Sequence, residues 1–181
     1  VNPEKRAVHL LAGIVLAGAA AICFLPLCSH PADLLVGPQR AGQNDVTSNI
    51  LAFRWYHGVY LLRSTPSLSW NPLSLGGTPW LGNPQTAMFY PPNWLFALVD
   101  SRLAVSWLMV AHHWLAGLGS YLLCRRYGLA WSAAVFAGIA FMAAPYYVAH
   151  TGEGHYNQVC LIAWVPWAFL CVERLRAGQR G

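Results

Sequence analysis

The sequence predicts an all-α fold: a multi-pass transmembrane helical bundle of about four spans, with a long external loop containing an amphipathic interfacial helix. Three observations predict it. Of 181 residues, 56% are apolar and only 9% charged, against about 25% charge in ordinary soluble domains. The basic residues gather at the ends of apolar runs, as membrane topology requires. One long stretch, residues 42–94, is neither a spanning run nor a short connector.

The first span is expected over residues 7–28, after Glu4-Lys5-Arg6 and broken only by His9 and Pro26. At about 1.5 Å per residue it crosses a ~30 Å hydrocarbon core. A cleaved signal peptide competes, but its apolar core runs only ~7–15 residues, which favours a retained helix. A cap follows over residues 29–102. Three further spans are expected at residues 103–124, 129–148 and 156–172, the second with Pro145 near its far end. The whole reads as one membrane domain over residues 1–181 and as the N-terminal piece of something longer. Cys23, Cys28, Cys124, Cys160 and Cys171 all lie in or beside apolar runs without metal-type pairing, so they read as inert buried thiols.

Charge sets the orientation. Lys5/Arg6, Arg125/Arg126 and Arg174/Arg176/Arg180 fall on one face, alternating with HTGEGHYNQ at 150–158, which holds no Lys or Arg. The positive-inside rule makes the basic face cytoplasmic, with both termini there. The cap and the 150–158 loop then lie together outside. The net charge of +5 is topological in origin and carries no nucleic-acid signal.

Within the cap, residues 46–63 read as an amphipathic helix. Ile50, Phe53, Tyr60 and Leu61 fall near one face, and Thr47, Arg54 and His57/Gly58 form a polar stripe. Such a helix, too short to span by itself, is expected to lie in the interface plane. Trp70-Asn71-Pro72, Gly76-Gly77-Thr78-Pro79 and Asn83-Pro84 are successive turn signals. Six of the twelve prolines fall in this second half. Trp70, Trp80, Phe89, Tyr90 and Trp94 make it too apolar for a solvated tail, so an ordered, functional segment is expected.

The blocks WNPLSLGGTPWLGNPQTAMFYPPNWLF, AAPYYVAHTGEGHYNQ and AWVPWAFLCVERL, placed after a first helix and an external Asp, carry a resemblance. Over residues 10–176 the chain resembles the N-terminal part of the YfhO-like bacterial membrane proteins, within the GT-C class of integral-membrane glycosyltransferases. The resemblance implies a polyprenyl-phosphate-linked sugar donor, transfer on the external face and residence in the bacterial inner membrane. It also implies an essential acidic residue in the first external loop, a position held here by Asp45. Asn83 departs from the pattern, since the family often carries Asp before Pro-Gln and an amide cannot act as a base.

Sugar transfer from a lipid phosphate needs a base near the acceptor hydroxyl and positive charge or a metal near the leaving phosphate. Of six acidic residues, Glu4 and Glu173 are expected on the cytoplasmic face, and Asp33 and Asp100 sit near predicted helix ends. Asp45 and Glu153 remain in the two external loops. Asp45 reads equally as an N-cap of the following helix or as base or metal ligand. Arg54, whose planar fork matches phosphate oxygens, reads as donor ligand or as headgroup anchor. Arg40, His57, His150 and His155 are further phosphate partners, with Asn83 and Gln85 lining the same region. A divalent metal between His150, Glu153 and His155 stays open, although no recognised ligand motif is present. His112 and His113, in the second span, read as hydrogen-bonded packing groups or as part of a transport path. No Gly-rich phosphate loop or Cys-x-x-Cys pair occurs. A lipid or solute transporter and a non-catalytic membrane assembly protein are the competing readings, and internal repeats and broken helices would mark the first.

Overall fold

A computed structural model describes residues 3–31, 33, 44–61 and 69–178. Helix α1 (Pro3–Cys23) stops at Phe24, and the short α2 (Leu25–Ser29) restarts with Pro26 in its first turn. Proline is tolerated there because that N–H has no partner in a helix anyway. The span expected over residues 7–28 is therefore two helices. Asn44 opens the cap helix: π-helical turns Val46–Ile50 and Tyr56–Leu61 flank α3 (Leu51–Trp55). Strands β1 (Trp70–Asn71) and β2 (Thr78–Pro79) then pair antiparallel, Trp70 opposite Pro79 and Asn71 opposite Thr78. Two 3-10 turns, Pro84–Thr86 and Pro91–Ala97, lead into α4 (Ser101–Arg126). Helices α5 (Trp131–Met142), α6 (Pro145–Gly152) and α7 (Tyr156–Arg176) complete the chain.

Among the described residues, three helical segments are long and apolar enough to cross a membrane: Arg6–Cys23, Trp131–Gly152 and Tyr156–Arg176. Helix α4 is longer than any of them but not of that kind, where about four spans were expected. It packs against α1, α5 and α7, so its inward positions meet protein and tolerate Ser106, His112, His113 and Ser120, all buried. The outer helices instead leave Leu10, Ile14, Ile22, Phe136, Leu161 and Phe169 exposed, the surface a bilayer covers.

Close helix packing rests on small residues and indole donors. A Cβ at Gly138 of α5 would stand 2.7 Å from the Gly117 carbonyl of α4, so the two backbones touch where both residues are glycine. Trp114 Nε1 donates to the Gly13 carbonyl at 3.0 Å, joining α4 to α1. Trp167 Nε1 donates to the Leu115 carbonyl at 2.9 Å, joining α7 to α4. One apolar core gathers Val46, Ile50, Phe96, Met109, Tyr147 and Tyr156 beneath the cap. Another holds Leu16, Tyr121 and Val135 toward the opposite end of the bundle.

Pro145 breaks the segment expected to run unbroken over 129–148. The Ala144 N–H reaches only the Phe141 carbonyl, at 3.3 Å, and the Met142 carbonyl turns to His113 Nδ1 at 3.0 Å. That ring nitrogen faces a carbonyl and so carries the proton, while Nε2 lies 2.7 Å from Thr151 Oγ1. His113 thus replaces the bond that the break removes, as a neighbouring helix must inside a membrane bundle. Its neighbour His112 points away. His112 Nδ1–H donates to the Leu108 carbonyl at 2.6 Å, and its Nε2 accepts from the Tyr90 hydroxyl. Tyr90 in turn accepts from Trp164 Nε1 at 2.9 Å, which pins the cap to α4 and α7.

Candidate functional site

The cap docks on the α6–α7 turn through backbone groups. Asn44 Nδ2 donates to the Gly152 carbonyl at 2.9 Å, and Asn44 Oδ1 accepts from Val46 N at 2.8 Å. The Asp45 N–H donates to the Glu153 carbonyl at 3.2 Å. Gly154, at φ +76°, makes the approach possible: any Cβ there would collide with Asn44 Oδ1. The turn is also shorter than the sequence suggests, because α6 runs to Gly152 and α7 starts at Tyr156. Residues 150–158 are thus two helix ends and a tight turn, where a loop was expected.

The capping oxygen belongs to Asn44, one residue before the position the sequence points to. Asp45 lies in helical geometry and its side chain makes no capping bond. Its carboxylate instead faces His155, Oδ2 to Nε2 at 3.5 Å, with 54% of the Asp45 side chain and 32% of the His155 side chain exposed. Both groups are open to a molecule in solution. His150 stands behind them, its Nδ1 2.6 Å from His155 Nδ1. A contact between two ring nitrogens needs one proton between them. With His155 Nε2–H toward the carboxylate, His155 Nδ1 accepts and His150 Nδ1–H donates. The arrangement is a carboxylate backed by two imidazoles in series, able to accept and pass on a proton. Glu153 contributes its carbonyl to this junction, and its side chain is exposed.

Arg54 is placed differently from an interfacial phosphate ligand. The residue is fully buried, on the same helix face as Val46 and Ile50. Its Nη1 donates to the Thr86 carbonyl and its Nη2 to Asn157 Oδ1 at 2.6 Å. The guanidinium also lies over the Tyr156 ring, 4.9 Å from its centre. Asn157 Nδ2 donates to the Gln85 carbonyl at 2.8 Å. Tyr156 donates to Asn93 Oδ1 at 2.8 Å, and Asn93 Nδ2 to the Ala87 carbonyl at 2.9 Å. The Pro- and Asn-rich segment leaves these carbonyls without helix or sheet partners, and Arg54, Asn93 and Asn157 supply the donors. Burial lowers the Arg54 pKa, and the carbonyls and rings around it offset the cost of holding its charge.

His57 is buried beside Arg54, and its pKa is pushed down to about 4, first by burial and then by the arginine charge. It is a neutral imidazole near neutrality. Of the stripe of Thr47, Arg54 and His57/Gly58 expected at a headgroup surface, Arg54, His57 and Gly58 are buried against the protein and Thr47 alone is exposed. Asn83 caps the turn Pro84–Thr86, its Oδ1 accepting from Gln85 N at 2.9 Å. Gln85 joins the network through its carbonyl while its side chain is exposed. Arg40 lies outside the described residues.

Asp45, His150, Glu153 and His155 therefore come together, while Arg54, His57, Asn83 and Gln85 form the scaffold beside them. Sequence reasoning missed Asn44, Asn93, Tyr156 and Asn157. The Asn-Asp-Val-Thr order could have assigned the cap to Asn44, because asparagine caps as well as aspartate. Among the described residues no group of three His, Cys, Asp or Glu side chains is arranged to hold a metal ion. The chain matches no protein-family model, no curated protein and no solved structure.

Proposed function

We propose that the chain belongs to a membrane glycosyltransferase of the GT-C type, moving a sugar from a polyprenyl-phosphate donor to an acceptor on the external face. In this reading it resides in a bacterial inner membrane, with four passes, both termini cytoplasmic and the cap outside. The observation that carries the reading is the exposed Asp45 carboxylate, free of any capping bond and faced by His155 at 3.5 Å. Asp45 takes the proton of the acceptor hydroxyl. The acceptor oxygen bonds to the anomeric carbon as the bond to the lipid phosphate breaks, its electron pair leaving on the phosphate. His155 holds the carboxylate in place, and His150 orients His155 from behind. Arg54 serves this site from beneath, by keeping Asn157 and the segment around Gln85 against the start of α7.

Asp45→Asn tests the reading without disturbing the cap, because Asn44 supplies the capping oxygen. Transfer from a radiolabelled polyprenyl-phosphate sugar, measured in membranes carrying the protein, should fall by about 10²-fold or more. Undiminished transfer would remove Asp45 from the chemistry.

A transporter reading draws on one observation. The segment Trp131–Gly152 is broken near its middle, beside a cavity of about 200 Å³ lined by Ala20, Phe24, His113 and Met142. Broken helices mark transport sites. Both His113 ring nitrogens are already engaged there, which favours repair of the break. Solute-dependent uptake into proteoliposomes that is abolished by His113→Leu would support transport instead.

A further inference from the structure

At the end of the bundle remote from the cap, a cavity of about 570 Å³ is lined by Glu4, Val8, His9, Leu122, Arg125, Arg126, Leu170 and Arg174. Three arginines face one carboxylate, so the cavity carries excess positive charge. Arg125 Nη1 donates to the Leu129 carbonyl at 2.6 Å, but its Nε is buried with no hydrogen-bond partner among the described residues. An orphaned guanidinium nitrogen is costly in low dielectric, and an anion oxygen would satisfy it. His9 at the rim is held through Nδ1 to the Tyr121 hydroxyl at 2.9 Å.

A second cavity, of about 660 Å³, adjoins the first through His9 and Leu122 and runs along α1 and α4. Its walls are Leu10, Gly13, Ile14, Ala17, Trp114 and Leu118, and only Arg6 and His9 at its mouth are polar. Gly13 opens it, since a Cβ there would meet nothing within 4 Å. A basic pocket continuous with an apolar groove on a membrane-facing surface has the two-part chemistry of a lipid with an anionic headgroup.

We propose that the end of the bundle bearing Arg125, Arg126 and Arg174 is a binding site for an anionic phospholipid. The headgroup phosphate seats on Arg125, and an acyl chain lies in the α1–α4 groove over Gly13. The site is separate from the Asp45 junction, so it stands or falls independently of sugar transfer. A free phosphate would need the pocket alone, whereas a lipid needs the groove as well.

The test offers purified protein in neutral detergent equal amounts of dioleoyl-phosphatidylglycerol and dioleoyl-phosphatidylcholine, with retained lipid counted by native mass spectrometry. At about fivefold per basic side chain, the anionic lipid should be preferred by at least tenfold. Arg126→Gln with Arg174→Gln should remove most of that preference. Gly13→Leu, which fills the groove, should lower retention of both lipids and leave the preference unchanged. If the double variant does not fold, raising salt on the wild type from about 0.1 M to about 1 M should collapse the preference instead. Equal retention of the two lipids by wild type, or a preference that survives both charge removal and high salt, would overturn the proposal. So would full retention by Gly13→Leu together with displacement by millimolar inorganic phosphate, which would make the pocket an anion site without a lipid.

Discussion

At the residue scale, the cap is organised by one buried cation and one buried imidazole. Arg54 draws together the carbonyls of Gln85 and Thr86 in the Pro-rich segment and the side-chain amide of Asn157 in α7, and His57 is buried within reach of its charge. His57 ties the cap to pH. Its folded pKa, about 4, lies below the ordinary 6.5, so the unfolded chain binds the proton more readily. Stability is then full above about pH 6.5 and falls as pH drops toward 4, by roughly 3 kcal/mol at most. Thermal melting of the protein in detergent should show a falling midpoint between pH 7 and pH 4.5. His57→Gln should flatten that dependence, and a slope left unchanged would place the sensitive group elsewhere.

Among the elements, the cap helix lies against the 3-10 turn Pro91–Ala97 with no room to spare. A Cβ at Gly58 would overlap the Phe96 carbonyl, which is backbone and cannot swing aside. Gly58→Ala should therefore push the two elements apart and cost several kcal/mol, although alanine is about 1 kcal/mol better than glycine in an exposed helix. Limited proteolysis from the cap side should become at least tenfold faster, while cleavage between α4 and α5 stays at the wild-type rate. An unchanged digestion pattern would mean that the cap is not held at this contact. The sequence set Arg54 on a polar stripe with Thr47 and His57/Gly58, apart from Ile50, whereas the fold buries Arg54 and Gly58 on one face with Val46 and Ile50. Side-chain polarity sorts residues by chemistry, and a buried arginine is sorted with the exposed ones until its partners are known.

For the whole molecule, the arrangement of passes is the reading to test. In a background without the native cysteines, Leu75→Cys is well suited to labelling, because Leu75 is 95% exposed in the cap. Glu153→Cys probes the α6–α7 turn, and Gly128→Cys the turn between α4 and α5. A membrane-impermeant maleimide added to intact cells should label the first two and leave the third unlabelled until the membrane is opened. External labelling at Gly128 would invert the molecule and move the Asp45 junction to the cytoplasm. The sequence alone made α4 a span like the others. Its histidines are better explained by its place in the middle of the bundle, where polar side chains meet carbonyls instead of lipid.

The membrane class, the helical architecture, the turns of the cap and the nearness of Asp45 to the 150–158 stretch follow from the sequence by itself. Composition, period and charge placement are local quantities, and each residue carries its share of them. Only the tertiary structure decided that Asn44 caps while Asp45 faces His155, that Arg54 turns inward, and that His113 repairs the break before Pro145. Those outcomes depend on which carbonyls the fold leaves without donors. A chain of Pro, Gly and Asn turns does not reveal that until its segments meet, because the partners of Arg54 lie 32 and 103 residues away along the chain.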